Sequence, residues 1–512
     1  MREESDTLEA YPPNRWLILA VMSLSLIIVM LNNVTLNVAL PELSLDLSAD
    51  NSELQWIMDS YALVFGGTLL VMGALGDRFG RKGALQIGLV IVGTASAWTA
   101  FYADSSTDVI LARATMGLGA ALVMPSTLSV VLVVFPPNER GKAIGIWAAM
   151  AGIGAPIGLL VGGWAVESYN WEMVFLINVP IILLALIAGA IIVPRSKDDN
   201  QRPLDVIGAI LSVIALASLL YGIIEGPSLG WADKQVLVSF VVAIIAGMAF
   251  VVRQKKTEYP LLPLEFFKNQ KFTLGLIAIA LAMFVMFSFM FMQMLHFQLV
   301  RGHSAFSAAI RFFPLPMGLM PAAANSDKLV AKFGRPNVIA TGLILVAAGL
   351  FLFTLVEIET NYWQIAATFV LLGLGMGLTM APSTTAIMDV IPESKAGVGS
   401  ATNDASREIG GALGIAIGGS VLNEIYQNSI SIPNSAMGNS GLIESSFPAA
   451  MKIGAEMLAK GNAEGGVLIA NARDAFIEGM VGACIVAGCV ALIAAIIVKW
   501  KMPEDVSSTA EE

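Results

Sequence analysis

Long apolar segments recur along the whole of this 512-residue chain, and they constrain its fold more than any other feature. A helix of about 20 mostly apolar residues crosses the hydrocarbon core of a bilayer. A window of that length finds fourteen such segments, so the sequence predicts an all-α integral membrane protein with fourteen spanning helices. The spans cover residues 16–40, 54–75, 83–102, 108–134, 142–166, 172–193, 206–226, 235–252, 273–298, 305–325, 337–356, 363–389, 396–422 and 475–498.

The composition argues against several other classes of protein. Only 13% of the residues are charged, against roughly 25% in a soluble domain. The net charge of −10 gives no sign of nucleic-acid binding. Cys484 and Cys489 share one apolar segment, which is typical of inert thiols, and two histidines are too few for a histidine-based metal site. No nucleophile arrangement, cofactor loop or phosphate loop is present, so we expect no enzyme, no cofactor and no ATP drive.

The distribution of Lys and Arg predicts the orientation of the spans. Cytoplasmic loops of membrane proteins carry an excess of these residues. With a cytoplasmic N-terminus, the basic clusters after spans 2, 8 and 10 lie inside, and the acidic segment Glu42–Glu53 lies outside. We therefore expect a multi-pass protein of the cell membrane (the inner or plasma membrane). Its N-terminal segment (1–15) and C-terminal tail (499–512) are both expected in the cytoplasm.

An internal repeat divides the chain. The loop after span 2 ends in the letters DRFGRK, and the loop after span 10 contains KLVAKFGR. Eight spans separate the two loops, which predicts two six-helix bundles (16–193 and 273–498) with two additional helices (206–252) between them. Repeats of this kind place a substrate site between the halves, near mid-membrane. A long external loop (423–474) with one helix near residues 449–460 precedes the last span.

Six stretches closely resemble motifs of one transporter family. Residues 73–82 (GALGDRFGRK) resemble the signature loop of the major facilitator superfamily, and residues 113–119 (RATMGLG) resemble its fourth-span motif. Four stretches are similar to the fourteen-span drug:proton antiporters, the last of them to the branch that exports quaternary ammonium compounds and cationic dyes. They are residues 31–41 (LNNVTLNVALP), 55–59 (QWIMD), 175–180 (FLINVP) and 396–414 (AGVGSATNDASREIGGALG). The resemblance implies proton-coupled efflux of lipophilic cations by alternating access.

Two positions depart from the family pattern, and the family links both to proton coupling. Asn32 stands where the family usually has an acid in span 1. An amide has nearly the shape of a protonated carboxylic acid but cannot ionise, so we expect a simpler coupling. In span 5, Leu159 replaces a proline of the antiporter motif, and Pro156 nearby can supply a displaced kink.

Charged residues inside spans are the first candidates for the transport site, because each costs roughly 2.5–3.5 kcal/mol to insert. Asp59 in span 2 has Trp56, Tyr61 and Phe65 nearby. A counter-charge beside aromatic rings suits a lipophilic cation. The alternative for Asp59 is an acid near the outer headgroups, next to an aromatic belt residue.

Span 13 carries two acids one helical turn apart, Asp404 and Glu408, with Arg407 between them. Paired acids can share a proton, and a dry site favours the neutral carboxyl form, so a bound cation or entering water would release the proton. The alternative is a structural Asp404–Arg407 ion pair. Arg113 in span 4 needs a partner if it is buried. The family resemblance implies that Arg113 is part of a proton relay. The alternative is a structural residue that stabilises helix packing.

The loop after span 2 is expected to act as a gate. Its residues Gly73 and Gly80 permit close packing and a tight turn. Asp77 can accept hydrogen bonds at a helix N-terminus, and Arg78 and Arg81 can pair across the seam between the halves. Such contacts hold one state of an alternating-access cycle and break in the other.

Two periodic features concern helix packing and the pocket. Spans 5 and 13 each carry three glycines at intervals of four, which lets helices approach closely. Span 9 has methionines on one face, and flexible thioethers suit a promiscuous pocket; a face towards lipid or another helix is the alternative. The glycines are Gly154, Gly158, Gly162, Gly410, Gly414 and Gly418, and the methionines are Met283, Met286, Met290 and Met294.

These observations lead to one principal hypothesis, a proton-driven exporter of lipophilic cations that works as a monomer in the bilayer. The alternative is a transporter of an endogenous metabolite, lipid or siderophore with altered or absent proton coupling. A membrane enzyme, sensor or scaffold is the third class. The proposed proton-coupling residues are Asp59, Arg113, Asp404 and Glu408, and the proposed substrate-binding residues are Asp59, Trp56, Tyr61, Asp404, Asn32 and Met290.

Overall fold

The computed structural model describes residues 11–36, 39, 42–43, 46–47, 51–196 and 205–504. All regular elements in these ranges are helices, and we number the long ones α1 to α14 in chain order. They are α1 Arg15–Val34, α2 Asn51–Phe79, α3 Arg81–Tyr102, α4 Ser106–Val134, α5 Pro137–Ser168, α6 Asn178–Ile192, α7 Val206–Leu229, α8 Lys234–Lys256, α9 Gln270–Leu295, α10 Pro314–Phe333, α11 Arg335–Phe353, α12 Tyr362–Met388, α13 Ala396–Ser429 and α14 Glu464–Lys501.

Within the described ranges, 13 helices are long and apolar enough to cross a membrane. The helix α10 is less apolar, because its second half carries Asp327, Lys328 and Lys332. The span expected at residues 305–325 is also divided: a short helix, Ala305–Ile310, precedes α10. With 20 residues, α10 still has about the length that a bilayer requires, and it packs on α12 and α5.

The two six-helix halves repeat one packing pattern. In the first half, α1 packs on α5 and α6, while α4 packs on α2 and α3. In the second half, α9 packs on α13 and α14, while α12 packs on α10 and α11. The halves meet where α2 contacts α13 and where α10 contacts α5. The prediction of an all-helical membrane protein built from two six-helix bundles is confirmed.

The repeated loops have the same backbone geometry. Gly80 alone separates α2 from α3, with a φ of 115°, and Gly334 alone separates α10 from α11, with a φ of 79°. Glycine adopts positive φ without the steric penalty of a Cβ, so each helix can end and the next can start at once. We call the end of the bundle at these two turns the basic end.

The glycine stripes bring equivalent pairs of helices into close contact. On α5, a Cβ at Gly154 would overlap Met30 of α1, and one at Gly162 would lie 2.6 Å from Thr35. On α13, a Cβ at Gly414 would overlap the Phe284 carbonyl oxygen of α9. The expected close approach along both stripes is therefore present, with the backbones in contact where side chains would keep them apart.

Of the two additional helices, α7 flanks the seam between the halves, and α8 packs on α7. The helix α7 packs on both α2 and α13, and Trp231 in the turn after it donates a 3.3 Å hydrogen bond to Ser420 of α13. Before α7, Asp205 accepts a hydrogen bond from Arg253 of α8 at 2.9 Å. Burial opposes ionisation of Asp205, but the Gly208 N–H and the Arg253 guanidinium outweigh it and lower the pKa of Asp205. This ion pair joins the start of α7 to the end of α8.

The loop before α14 is shorter than the sequence predicts. The helix α13 continues to Ser429 and α14 begins at Glu464, so both helices extend into the expected loop. The helix expected near residues 449–460 is present as Phe447–Ala459. Its first residue stacks on Phe476 of α14 at 4.3 Å, which attaches the loop to the bundle.

Some expectations concern residues outside the described ranges. They include most of the N-terminal segment, the last eight residues of the tail (505–512), and Asn37, Leu40 and Pro41 of the first-span motif.

Candidate transport site and gate

Arg113 of α4 is buried in the N-terminal half, with 1% of its surface exposed. Its Nη1 donates to the backbone carbonyl oxygen of Asn32 at 2.6 Å, and its Nε donates to that of Ile57 at 3.2 Å. The guanidinium also lies 4.4 Å from the centre of the Tyr61 ring. Two carbonyls and one ring from α1 and α2 therefore hold this cation in place.

The aromatic residues expected around Asp59 serve different partners. Tyr61 is buried, stacks on Phe65 at 5.7 Å and carries Arg113 on its ring. The ring centre of the half-buried Trp56 lies 6.2 Å from that of Tyr221 of α7. Asp59 itself is half-buried and close enough to Arg113 to interact with its charge. In this conformation Trp56 and Tyr61 do not act as one platform for a cation, because a protein cation already occupies Tyr61.

Asn32 is buried and faces a second amide. Its Nδ2 donates to the Ile28 carbonyl oxygen at 2.9 Å, and its Oδ1 accepts from Asn178 Nδ2 at 3.5 Å. The sequence analysis did not select Asn178 as a site residue, although it lies in the motif at residues 175–180. An uncharged asparagine in a helix gives little reason for selection until its partner is known.

Asp404 of α13 is fully buried at the seam between the halves. Its Oδ1 accepts a hydrogen bond from Asn403 Nδ2 at 3.0 Å, and its Oδ2 accepts one from Ser400 at 3.5 Å. The nearest approach of Arg407 to Asp404 is 4.0 Å, from Nε to Oδ1. The ion pair that the sequence analysis gave as the alternative is present, but it is long, and no hydrogen bond joins the two side chains.

Arg407 is 5% exposed and reaches across the seam. Its guanidinium lies 5.1 Å from the centre of the Trp147 ring on α5, and its Nη2 is 3.5 Å from Thr384 Oγ1 of α12. Trp147 is fully buried, and its Nε1 donates to Thr127 Oγ1 at 3.0 Å. Trp147, Thr127 and Thr384 were not selected from the sequence, because only the meeting of the two halves brings them to Arg407.

Glu408 is half-buried and faces α2. Its Cβ lies 3.8 Å from the place where a Cβ on Gly66 would stand, and its charge is near Tyr61. Glu408 therefore faces α2, whereas its neighbour Arg407 contacts Trp147 of α5. Met290 of α9 is half-buried and packs against the apolar core.

The expected gate joins the halves at the basic end. Asp77 accepts hydrogen bonds from the backbone N–H groups of Gly397 (2.9 Å) and Val398 (3.1 Å), in the first turn of α13. It also accepts from Arg81 Nε at 3.0 Å, and Arg81 Nη2 donates to the carbonyl oxygen of Glu393. A carboxylate at a helix N-terminus is favoured by the free N–H groups and the helix dipole. A Cβ on Gly73 would overlap the Gly397 carbonyl oxygen, so these helices touch.

One expected gate contact is absent in this conformation, within the described residues. Arg78 lies beside the ring of its neighbour Phe79, 5.2 Å away, and not across the seam. A different arginine makes the second contact between the halves: Arg140 of α5 forms an ion pair with Glu393. The reason is geometric, because a residue next to Asp77 on a helix points about 100° away from it.

The chain is similar to drug resistance transporters over nearly its whole length. It is 32% identical to the multidrug efflux pump LfrA of Mycolicibacterium smegmatis, a match that covers 95% of this chain and 96% of that protein. It is 30% identical to the tetracenomycin C resistance and export protein of Streptomyces glaucescens, over 97% and 93%. It is 32% identical to the methyl viologen resistance protein SmvA of Salmonella typhimurium, over 82% and 85%.

Solved structures share the fold at much lower sequence identity. The human organic anion transporter MFSD10 (TETRAN) matches with a TM-score of 0.62 at 13% identity, over 95% of this chain and 100% of that chain. The proton:xylose symporter XylE matches with a TM-score of 0.60 at 14% identity, over 96% of both chains. A family model described as Major Facilitator Superfamily matches residues 22–415. This chain, with its two helical halves, the contacts of Asp77 with α13 and its buried charges at the seam, belongs to the Major Facilitator Superfamily.

Proposed function

We propose that this protein exports lipophilic cationic drugs or dyes across the cell membrane in exchange for protons, by alternating access. The observation that carries the proposal is the pair of acids on α13, Asp404 and Glu408, at the seam between the halves. Three relatives named for multidrug efflux, for resistance and export, or for methyl viologen resistance support the same function.

The acids suit an exchange of protons for cations. Burial in a dry site favours the neutral form of a carboxyl group, whereas Arg407 favours the ionised form of Asp404. Because Arg407 is as far as 4.0 Å from Asp404, a change in the surroundings can shift the equilibrium between the neutral and the ionised form of Asp404. A cation that enters the seam shifts it towards the carboxylate and releases a proton. A proton that enters from the other side of the membrane then displaces the cation.

Asn32 implies that this exchange depends on the second half of the protein. In the N-terminal half, the amides of Asn32 and Asn178 meet, and neither ionises. Arg113 is bound to backbone carbonyls. The groups that can change protonation at the seam are therefore Asp404 and Glu408, with Asp59 nearer to Arg113.

The positive-inside rule supports a cytoplasmic position for the basic end and for both chain termini. In that orientation, the contacts of Asp77 and Arg81 with α13 close the cytoplasmic side. Cation release on the outer side requires this closed state, and cation uptake requires the contacts to break.

The test uses inverted membrane vesicles that hold a proton gradient, with ethidium as the cation. Addition of ethidium is expected to dissipate the gradient only when wild-type protein is present. The variant Asp404→Asn is expected to insert normally but to abolish the exchange. Glu424→Gln, an acid-to-amide change at an exposed position of the same helix, is the matched control and is expected to behave as wild type.

Either of two results would contradict the proposal. If the folded wild-type protein leaves the gradient unchanged, cation:proton exchange is wrong, and a screen of endogenous metabolites follows. If Asp404→Asn exports as wild type, Asp404 has no part in the mechanism.

A further inference from the structure

We propose that the ring face of Trp147 is a binding subsite for the organic cation, and that Arg407 occupies this subsite until the substrate displaces it. The inference rests on the proposed export of cations and adds a residue and a mechanism of entry to it. The cations concerned are aromatic or quaternary ones, whose weakly hydrated charge can lie against an indole ring.

Trp147 has the properties of a prepared aromatic platform. Its side chain is fully buried, so water does not compete for the ring. The hydrogen bond from its Nε1 to Thr127 Oγ1, at 3.0 Å, fixes the orientation of the indole. Tryptophan is the best ring for a cation–π contact, which is worth about 2 kcal/mol or more when the pair is desolvated.

Arg407 holds this place with few other attachments. A guanidinium has five N–H donors. Among the described residues, the donor Nε is buried and has no hydrogen-bond acceptor, and the bond from Nη2 to Thr384 Oγ1 is long, at 3.5 Å. A buried charge with so few partners is costly to keep. Its departure from the ring gives up the cation–π contact, and a position closer to Asp404 strengthens the 4.0 Å ion pair in exchange.

The charges balance because one proton leaves as one substrate cation enters. Before the exchange, Arg407 lies near the ring of Trp147 and near Asp404, and the two acids Asp404 and Glu408 share one proton. A substrate with one positive charge takes the place on the ring, Arg407 moves closer to Asp404, which is 4.0 Å away, and the proton is released. The seam therefore has the same net charge before and after the exchange, with two carboxylates beside two cations.

The internal repeat shows that this ring belongs to one half only. The sequence Pro-Ser-Thr occurs in α4 at residues 125–127 and in α12 at residues 382–384. Thr127 accepts a hydrogen bond from Trp147 of α5, and Thr384 donates one, 3.3 Å long, to Asn403 of α13. In the second half, α13 corresponds to α5, and the amide of Asn403 takes the position beside the threonine that the indole of Trp147 has in the first half. The ring comes from one half and the acids from the other, so the subsite is complete only where α5 and α13 meet.

The experiment measures equilibrium binding of tetraphenylphosphonium and ethidium to the purified full-length protein in detergent, by calorimetry. For Arg407→Gln we expect about tenfold tighter binding, because the resident cation no longer competes. For Trp147→Leu we expect weaker binding, and in the double variant the gain from Arg407→Gln disappears. Trp147→Phe keeps a ring and is expected to bind with intermediate affinity, which separates loss of the platform from misfolding.

Two controls match these changes away from the seam. Arg301→Gln removes an arginine that contacts His296 and the Thr360 carbonyl oxygen. Trp16→Leu removes a second indole that carries a cation, Lys142, at 4.9 Å. Both variants are expected to keep wild-type affinity.

The outcomes separate the subsite from the proposed function. If the wild type binds and exports cations but Arg407→Gln leaves the affinity unchanged or weaker, the resident-cation inference is wrong and the export function stands. If the tighter binding persists in the double variant, Trp147 is not the platform. If folded wild type and all variants neither bind nor export these cations, the proposed function fails, and the subsite with it.

Discussion

Each half of this transporter contains a buried arginine on an aromatic ring, and the two arginines differ in how they are held. Arg113 lies on Tyr61 and donates hydrogen bonds to two backbone carbonyls, all within its own half. Arg407 lies on Trp147 of the other half, with one long hydrogen bond and an ion pair of 4.0 Å. The same chemical group therefore anchors one half and only bridges the seam in the other.

This difference indicates a division of labour. Backbone carbonyls of α1 and α2 move little within a bundle, so Arg113 ties three helices of the N-terminal half together. The ring and the acids around Arg407 belong to different halves, which separate during alternating access. In the proposed transport cycle Arg407 changes partners, and its long contacts of 3.5 and 4.0 Å favour such a change.

The largest expected effect is on stability at the anchored arginine. Arg113→Met removes two hydrogen bonds, a ring contact and the interaction of the guanidinium with the charge of Asp59. We expect a loss of about 3 kcal/mol in the free energy of unfolding, since removal of one partner from a buried charge site typically costs 3–5 kcal/mol. Thermal or denaturant unfolding in detergent measures it. A stability equal to that of wild type would show that Arg113 is held as loosely as Arg407.

A smaller effect is expected at the two equivalent threonines. Thr127→Val removes the acceptor that orients Trp147, at a cost of about 1 kcal/mol, and we expect cation affinity to fall several-fold. Thr384→Val removes the 3.5 Å hydrogen bond of Arg407 and is expected to leave the affinity unchanged or slightly higher. Calorimetric titration with tetraphenylphosphonium compares the two. Equal losses in both variants would contradict the different roles of the two halves.

The smallest stability effect is expected at the bridging arginine. Arg407→Met replaces a poorly partnered buried charge with an apolar chain of similar length. Asp404 can take up a proton when its cation is removed, so no unpaired charge stays buried, and we expect a free energy of unfolding within about 0.5 kcal/mol of wild type. Proton-coupled ethidium transport in vesicles is nevertheless expected to be lost. A large loss of stability would make Arg407 a second structural anchor.

The agreement between sequence and structure depends on the distance over which each feature acts. Asp77 was expected at a helix N-terminus, and it is found there, because its loop and the first turn of α13 both have distinctive motifs. Arg78 was expected to cross the seam, but Arg140 makes a second contact there instead. Which of several arginines reaches a partner depends on helix rotation, and a motif does not contain that information.

The amino-acid sequence by itself determined the helical membrane fold, the two halves with two additional helices, and the two acids within α13. These properties follow from hydropathy over about 20 residues, from a repeated loop and from the cost of charge in lipid, all of which are local. Only the tertiary structure decided that α10 is a shifted, more polar helix, that Asn178 meets Asn32, and that Trp147 lies under Arg407. Those contacts join residues far apart in the chain, and their geometry depends on how closely the glycine-lined helices pack and how the halves meet.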